Sequence, residues 1–121
     1  MKRIYVAGPY SANNVIDVLK NIGRGQQTCA QLFQMGYAPF CPWHDKSYVI
    51  DMPNSDYTVE QFYKYSIAWL EVSDTVLLIG DWESSKGTLA EVERAKLLDI
   101  PIFLNIPDME KYFKGICEVR P

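Results

Sequence analysis

A run of polar residues at positions 81–88, DWESSKGT, contains groups that suit an anion. It leads into a predicted helix that begins at Gly87 or Thr88, and a helix N-terminus offers free N–H groups and a favourable dipole to a negative charge. Ser85 adds a hydroxyl donor, Lys86 adds a positive charge, and Gly87 lets a ligand approach the backbone. We expect a phosphate to bind here, although an ordinary capped turn would use the same residues.

Glu91 lies in the first turns of the same predicted helix and carries a group suited to covalent chemistry. Ala95, one turn later on the same helix face, leaves room above the carboxylate. The helix dipole favours the ionised form, and an ionised carboxylate in a cleft can attack an anomeric carbon. The structural alternative is a capping box, in which Glu91 only accepts a hydrogen bond from the Thr88 N–H.

Other side chains are candidates for the same site. Asp81 follows a predicted strand at the cleft end. Tyr5 lies inside the first predicted strand, where its hydroxyl needs a partner, and Glu91 can provide it. His44, the only histidine, either meets a bound base or faces solvent. Loop aromatics either stack on a nucleobase or anchor their loop to the core, and these are Trp43, Tyr48 and Trp82.

The 121 residues form one predicted domain, so a single site must supply all of this chemistry. Lys and Arg total 12 against 15 Asp and Glu, and a net charge of −3 disfavours a nucleic acid polymer as partner. No apolar run approaches the roughly 20 residues that span a bilayer. The apolar stretch at residues 4–7 is too short for a signal-peptide core, so we expect no membrane partner and a cytoplasmic location.

Several common cofactor and metal motifs are missing from the sequence. It contains neither GxGxxG nor GxxxxGK[ST], which disfavours a Rossmann dehydrogenase and a P-loop NTPase. Its three cysteines have no CxxC spacing, so we expect reduced structural thiols rather than a disulfide framework or a zinc site. We therefore expect no cofactor and no metal. The cysteines are Cys29, Cys41 and Cys117.

The hydrophobic periodicity predicts strands that alternate with helices. Strands are expected at residues 3–7, 37–41, 75–79 and 101–104, and helices from Val15 to a stop at Gly36 and at residues 58–72, 87–98 and 107–113. Residues 43–56 have no periodicity and are expected to form a loop that covers the cleft. The alternation predicts an α/β fold, a flavodoxin-like or Rossmann-like doubly wound parallel sheet in the order 2-1-3-4, with room for a fifth short strand.

In such a sheet, ligands bind at the carboxyl ends of the strands where the strand order reverses. This switch point falls between the first and third predicted strands. The loops that leave these two strands are residues 8–14 and 80–87, so we expect the cleft to be built from them.

Three blocks of sequence resemble the nucleoside 2-deoxyribosyltransferase superfamily. They are IYVAGPYS at residues 4–11, SDTV at residues 73–76, and SKGTLAE at residues 85–91 followed by Ala95. The S-x-G-x-x-x-E block is the most specific of these, and the similarity covers most of the chain. The resemblance implies that Glu91 attacks C1′ of the deoxyribose and that Tyr5 contacts the Glu91 carboxylate. Homo-oligomers are common in the superfamily, so a homo-oligomer is also expected here.

The residue six positions before the nucleophile distinguishes members of this superfamily. Members that use nucleosides have an aspartate there, whereas the 2′-deoxynucleoside 5′-phosphate N-hydrolases have a serine, as this chain does at Ser85. An aspartate would repel a phosphate. The resemblance therefore favours a nucleotide N-glycosidase, which cleaves the base–sugar bond of a (deoxy)nucleoside 5′-monophosphate through a Glu91 glycosyl-enzyme, by hydrolysis or base exchange.

The chain departs from the superfamily pattern in two places. Its first phosphate loop begins at Gly8 and is poorer in glycine, so the N–H groups of Tyr10 and Ser11 are the expected donors. Ser66 stands where the superfamily has an aspartate, which leaves proton delivery to the leaving base unassigned. The substitutes are Asp81, His44 and Asp45. The alternatives are a nucleotide-binding or sensing module without catalysis, and an interaction subunit in which Glu91 only caps its helix.

Overall fold

The protein is described by a computed structural model that covers the backbone of residues 1–119 and the side chains of residues 1–115. Four parallel strands form one sheet in the order β2-β1-β3-β4. The strands are β1 (Arg3–Ala7), β2 (Ala38–Phe40), β3 (Thr75–Leu78) and β4 (Ile102–Phe103). The predicted α/β class and strand order are confirmed, and residues 1–119 form no fifth strand in this sheet.

Five α-helices connect and flank the strands. They are α1 (Val15–Gln34), α2 (Lys46–Asp51), α3 (Val59–Leu70), α4 (Lys86–Leu97) and α5 (Ile106–Val119). Asn14 caps α1 by accepting a hydrogen bond from the Asp17 N–H at 2.9 Å, and Gly36 follows its end with a φ of 95° that favours glycine. Within the described chain, no helix has the length and apolar character needed to cross a bilayer.

The alternation of side chains along β1 divides the core into two layers. Ile4 and Val6 pack on one face of the sheet with side chains of α1 and α5. Tyr5 and Ala7 point to the other face, where they pack with side chains of α3 and α4. The pleat of the strand therefore directs the Tyr5 side chain towards the helix that carries Glu91.

The segment that follows β2 is structured, which corrects the predicted loop at residues 43–56. A 3-10 helix (Pro42–Asp45) leads directly into α2. Trp43 is only 1% exposed, and its Nε1 donates a hydrogen bond to the carbonyl of Pro9 at 3.1 Å. It therefore anchors the segment to the core instead of offering its ring to a base. Two such short helices contain too few turns to show a hydrophobic period.

Two of the three cysteines lie in the part of the chain whose side chains are described. Cys29 on α1 and Cys41 after β2 are buried free thiols. The Cys29 Sγ lies 3.9 Å from the carbonyl oxygen of Phe40, the residue before Cys41. The side chain of Cys117 lies outside the described residues.

Replacing either of two glycines on α1, Gly25 or Gly23, by alanine should change the stability in opposite directions. A Cβ at Gly25 would overlap the buried Trp43 ring, so Gly25→Ala should lower the free energy of unfolding by about 1–3 kcal/mol. A Cβ at Gly23 on the same helix would meet nothing within 4 Å. Gly23→Ala should therefore raise the free energy of unfolding by about 0.5–1 kcal/mol. Urea unfolding followed by circular dichroism measures both, and equal effects would contradict the close packing of Gly25 on Trp43.

Candidate active site

A cavity of about 750 Å³ opens where the loops after β1 and β3 meet, at the predicted switch point. Its walls come from the loop after β1, the segment after β2, one face of α3 and the start of α4. The lining residues are Gly8, Pro9, Tyr10, Ser11, Pro42, Trp43, Asp45, Lys46, Val49, Ile50, Val59, Phe62, Tyr63, Ser66, Ser84, Ser85, Lys86, Gly87, Thr88 and Glu91. A cavity of this size suits a small molecule.

Ser85 organises the first turn of α4 at one end of this cavity. Its Oγ accepts hydrogen bonds from the N–H and the hydroxyl of Thr88, at 3.2 and 3.0 Å, and its carbonyl accepts one from the Leu89 N–H at 3.0 Å. These bonds leave the Ser85 hydroxyl proton and the N–H groups of Lys86 and Gly87 for a ligand. The capped turn thus still has donors that suit an anion. The helix α4 begins at Lys86, earlier than predicted, because Ser85 is its cap.

Glu91 does not act as a helix cap. The Thr88 N–H that a capping box would use is already bonded to Ser85. Glu91 Oε2 is shielded from solvent and has no hydrogen-bond partner among the described residues. Glu91 lines the cavity, and its unpartnered buried oxygen costs stability, so the carboxylate does not stabilise its own helix.

The ionisation of Glu91 differs from the sequence expectation. Burial raises the pKa of Glu91 from 4.5 to about 7, an effect that the neighbouring Tyr5 hydroxyl partly opposes. The helix dipole does not hold this pKa at its ordinary value, because Glu91 lies beyond the first turn of α4, where the dipole effect is concentrated. Desolvation by the surrounding core is the larger influence.

Tyr5 lies close to this carboxylate. It is fully buried, and its hydroxyl has no hydrogen-bond partner within the described chain. Burial and the charge of Glu91 raise the pKa of Tyr5 well above its usual value, while the hydroxyl of Ser66 opposes them. Tyr5 and Glu91 are thus close enough to influence each other's ionisation, although no hydrogen bond joins them. The structure brings this predicted pair together.

A second carboxylate, that of Asp45, lines the cavity at the end of the 3-10 helix that contains Trp43. Asp45 and Glu91 are the two carboxylates among the lining residues. Burial raises the pKa of Asp45, and the nearby Tyr10 hydroxyl and Lys46 ammonium oppose this. Burial, followed by the effect of Asp45, in turn raises the pKa of Tyr10 to about 12.

Some predicted site residues line the cavity and others do not. Those that line it are Gly8, Tyr10, Ser11, Ser85, Gly87 and Glu91. Asp81 and His44 are exposed and lie outside the cavity lining, and Trp82 packs against the core beside α4. The 3-10 turn at Trp82–Ser84 accounts for the placement of Trp82, because it directs Trp82 to the core and brings Ser84, which was not predicted, to the cavity. Within the described side chains, no group of three or more His, Cys, Asp or Glu is arranged to hold a metal ion.

Sequence reasoning singled out only Ser66 on α3 and missed the other residues with which this helix lines the cavity. Val59, Phe62, Tyr63 and Ser66 line the cavity from this helix. Their spacing of three and four residues places them on one helix face, and this signal was visible in the sequence. A periodic apolar face is, however, the usual mark of a helix packed on the core, so the pattern alone does not separate a cavity wall from a core contact.

Comparisons with known proteins agree with this fold. The family model described as "Domain of unknown function (DUF7768)" matches residues 2–105. No curated protein matches the sequence. A 2-deoxyribosyltransferase from the psychrotolerant bacterium Bacillus psychrosaccharolyticus has a similar structure, with a TM-score of 0.58 and 22% sequence identity. The similarity covers 83% of this chain and 69% of that chain, and at this identity it concerns the fold.

The raised pKa of Glu91 predicts a pH-dependent stability. Because the folded-state pKa of about 7 exceeds the ordinary value of 4.5, folding favours the protonated carboxyl, and this contribution is lost as the pH rises through about 7. Between about pH 5 and pH 8, the wild type should lose on the order of 2 kcal/mol of unfolding free energy relative to Glu91→Gln. Denaturant unfolding at the two pH values measures this difference.

Glu93→Gln is the matched control, because Glu93 is an exposed carboxylate on the same helix. This variant should follow the wild type across the pH range. If Glu91→Gln also runs parallel to the wild type, the carboxyl of Glu91 is not desolvated in solution.

Proposed function

We propose that this chain, which belongs to the family described as "Domain of unknown function (DUF7768)", cleaves the base–sugar bond of a (deoxy)nucleoside 5′-monophosphate. The observation that carries the proposal is the buried, unpartnered carboxylate oxygen of Glu91 beside Tyr5, in the same cavity as the N-terminus of α4. The cavity thus combines a helix N-terminus that suits an anion with a carboxylate that can act as a nucleophile. The similarity in fold to a 2-deoxyribosyltransferase supports the same class of chemistry.

The phosphate would bind at the first turn of α4. The N–H groups of Lys86 and Gly87 and the hydroxyl of Ser85 are oriented as donors there, and the Lys86 side chain adds a positive charge. The apolar walls that α2 and α3 contribute, including Ile50 and Phe62, provide a surface for the base. The sugar then lies between the two, with C1′ towards Glu91.

The reaction would proceed by displacement at C1′. The ionised Glu91 forms a bond to C1′ as the C1′–N bond breaks, and the electron pair of that bond leaves with the base through an oxocarbenium-like state. Water then attacks C1′ and releases Glu91 in a hydrolase, whereas a second base does so in a transferase. The Tyr5 hydroxyl, placed close to the carboxylate, would orient it as it becomes charged.

The first test is base release. The wild type should release free base from at least one deoxynucleoside 5′-monophosphate, and Glu91→Gln should lower this rate by at least about 10³-fold because it removes the nucleophile. Glu93→Gln, on the same helix but exposed, should keep the rate. Liquid chromatography of the free base measures all three. Nucleotide binding by the wild type without turnover would instead favour the binding-module alternative.

The second test separates nucleotides from nucleosides. Ser85→Asp keeps a good helix cap but places a negative charge at the proposed phosphate position. It should lower kcat/KM for a monophosphate relative to its nucleoside by about tenfold or more, because the like charges repel. Ser85→Asn, an equally good cap without the charge, should retain the preference for the monophosphate. Equal changes in the two variants would contradict a phosphate beside Ser85.

A further inference from the structure

The proposed cleavage requires a proton donor for the leaving base, and no residue has been assigned to this step. As the C1′–N bond breaks, the base takes the electron pair and becomes a poor leaving group unless a nitrogen of its ring is protonated. Ser66, which lies on the α3 wall near Tyr5, has a hydroxyl that is too weak an acid to supply this proton. Another group in the cavity must therefore act as the general acid.

On the basis of the proposed function, we infer that Asp45 is the catalytic acid that protonates the departing base. Asp45 and Glu91 are the two carboxylates that line the cavity. Asp45 follows β2, which lies on one side of β1, whereas Glu91 belongs to the helix that follows β3, on the other side of β1. Asp81 and His44, the other candidates by sequence, are exposed and lie outside the cavity lining.

The position of Asp45 is well fixed for this role. It ends the 3-10 helix whose Trp43 is buried in the core and hydrogen-bonded to Pro9, so the carboxyl rests on a rigid support. The charge of Asp45 also acts on the Tyr5 hydroxyl, which places both carboxylates around the same space. Burial raises the pKa of Asp45, which keeps more of it protonated before the reaction.

The proton transfers balance over the full cycle. Protonated Asp45 gives its proton to the ring nitrogen as the base leaves, and the resulting carboxylate is stabilised by the Lys46 ammonium and the Tyr10 hydroxyl. In the second step this carboxylate accepts a proton from the attacking water, whose oxygen bonds to C1′ as the bond to Glu91 breaks. Asp45 is then protonated and Glu91 is ionised, as at the start.

Two substrates test this assignment. 2′-Deoxyguanosine 5′-monophosphate, or whichever natural deoxynucleotide the wild type cleaves best, needs a proton on its leaving base. 7-Methyl-2′-deoxyguanosine 5′-monophosphate does not, because its base already carries a positive charge and departs neutral. Asp45→Asn should lower base release from the natural substrate by about 10²–10⁴-fold and leave release from the methylated one within about threefold of the wild type. Glu91→Gln should abolish both, and Asp81→Asn, which removes an exposed carboxylate outside the cavity lining, should change neither.

The outcomes separate the inference from the proposed function. If Asp45→Asn impairs both substrates equally, or impairs neither, Asp45 is not the acid, while cleavage by the wild type still supports the proposed function. If the wild type cleaves neither substrate, the proposed function itself fails and the inference fails with it.

A measurement on the wild type alone keeps the inference testable if Asp45→Asn does not fold. The rate with the natural substrate should fall at high pH as Asp45 loses its proton, whereas the rate with the methylated substrate should lack this fall. The titratable and charged groups around Asp45 are Tyr5, Tyr10, Lys46 and Tyr65. Glu91 must be ionised for both substrates, so the loss of its proton with rising pH favours both reactions by the same factor. Identical pH profiles for the two substrates would therefore overturn the role of Asp45.

Discussion

The desolvation of the Glu91 carboxylate is the constraint on which the candidate site depends. A carboxylate oxygen without a hydrogen-bond partner lowers the stability of the fold, and so does the unpartnered hydroxyl of Tyr5 close to it. The pleat of β1 brings the two groups together, because it directs Tyr5 away from α1 and towards α4. Glu91 also lines the cavity, and a desolvated carboxyl group at a cavity is a common mark of a functional site.

Trp43 provides the second constraint, because it determines the shape of the opposite wall. Its ring fills the space left by Gly25, and its indole N–H holds the loop after β1 through the Pro9 carbonyl. One buried side chain therefore joins α1, the loop after β1 and the segment after β2. The cavity keeps its form because these three elements cannot move independently, and Asp45 is carried on the segment that Trp43 fixes.

The net charge of −3 is compatible with an anionic ligand once the local field is considered. The first turn of α4 contributes backbone N–H groups, and Lys46 and Lys86 lie in the cavity wall. The same lining holds the carboxylates of Asp45 and Glu91, and the other acidic side chains of the described residues lie outside it. A small anion responds to the local groups, while a long polyanion would meet the overall negative charge.

The sequence by itself predicted the strand order and four of the five helices, because hydrophobic periodicity is a local pattern and parallel sheets allow few topologies. It also predicted a cleft between β1 and β3, where the structure has a cavity. It also singled out Ser85, Tyr5 and Glu91. Only the tertiary structure decided that Ser85 caps α4, that Glu91 is largely desolvated, and that Asp45 reaches the cavity while Asp81 does not. Burial and proximity arise from elements far apart in the chain, so no spacing along the sequence encodes them.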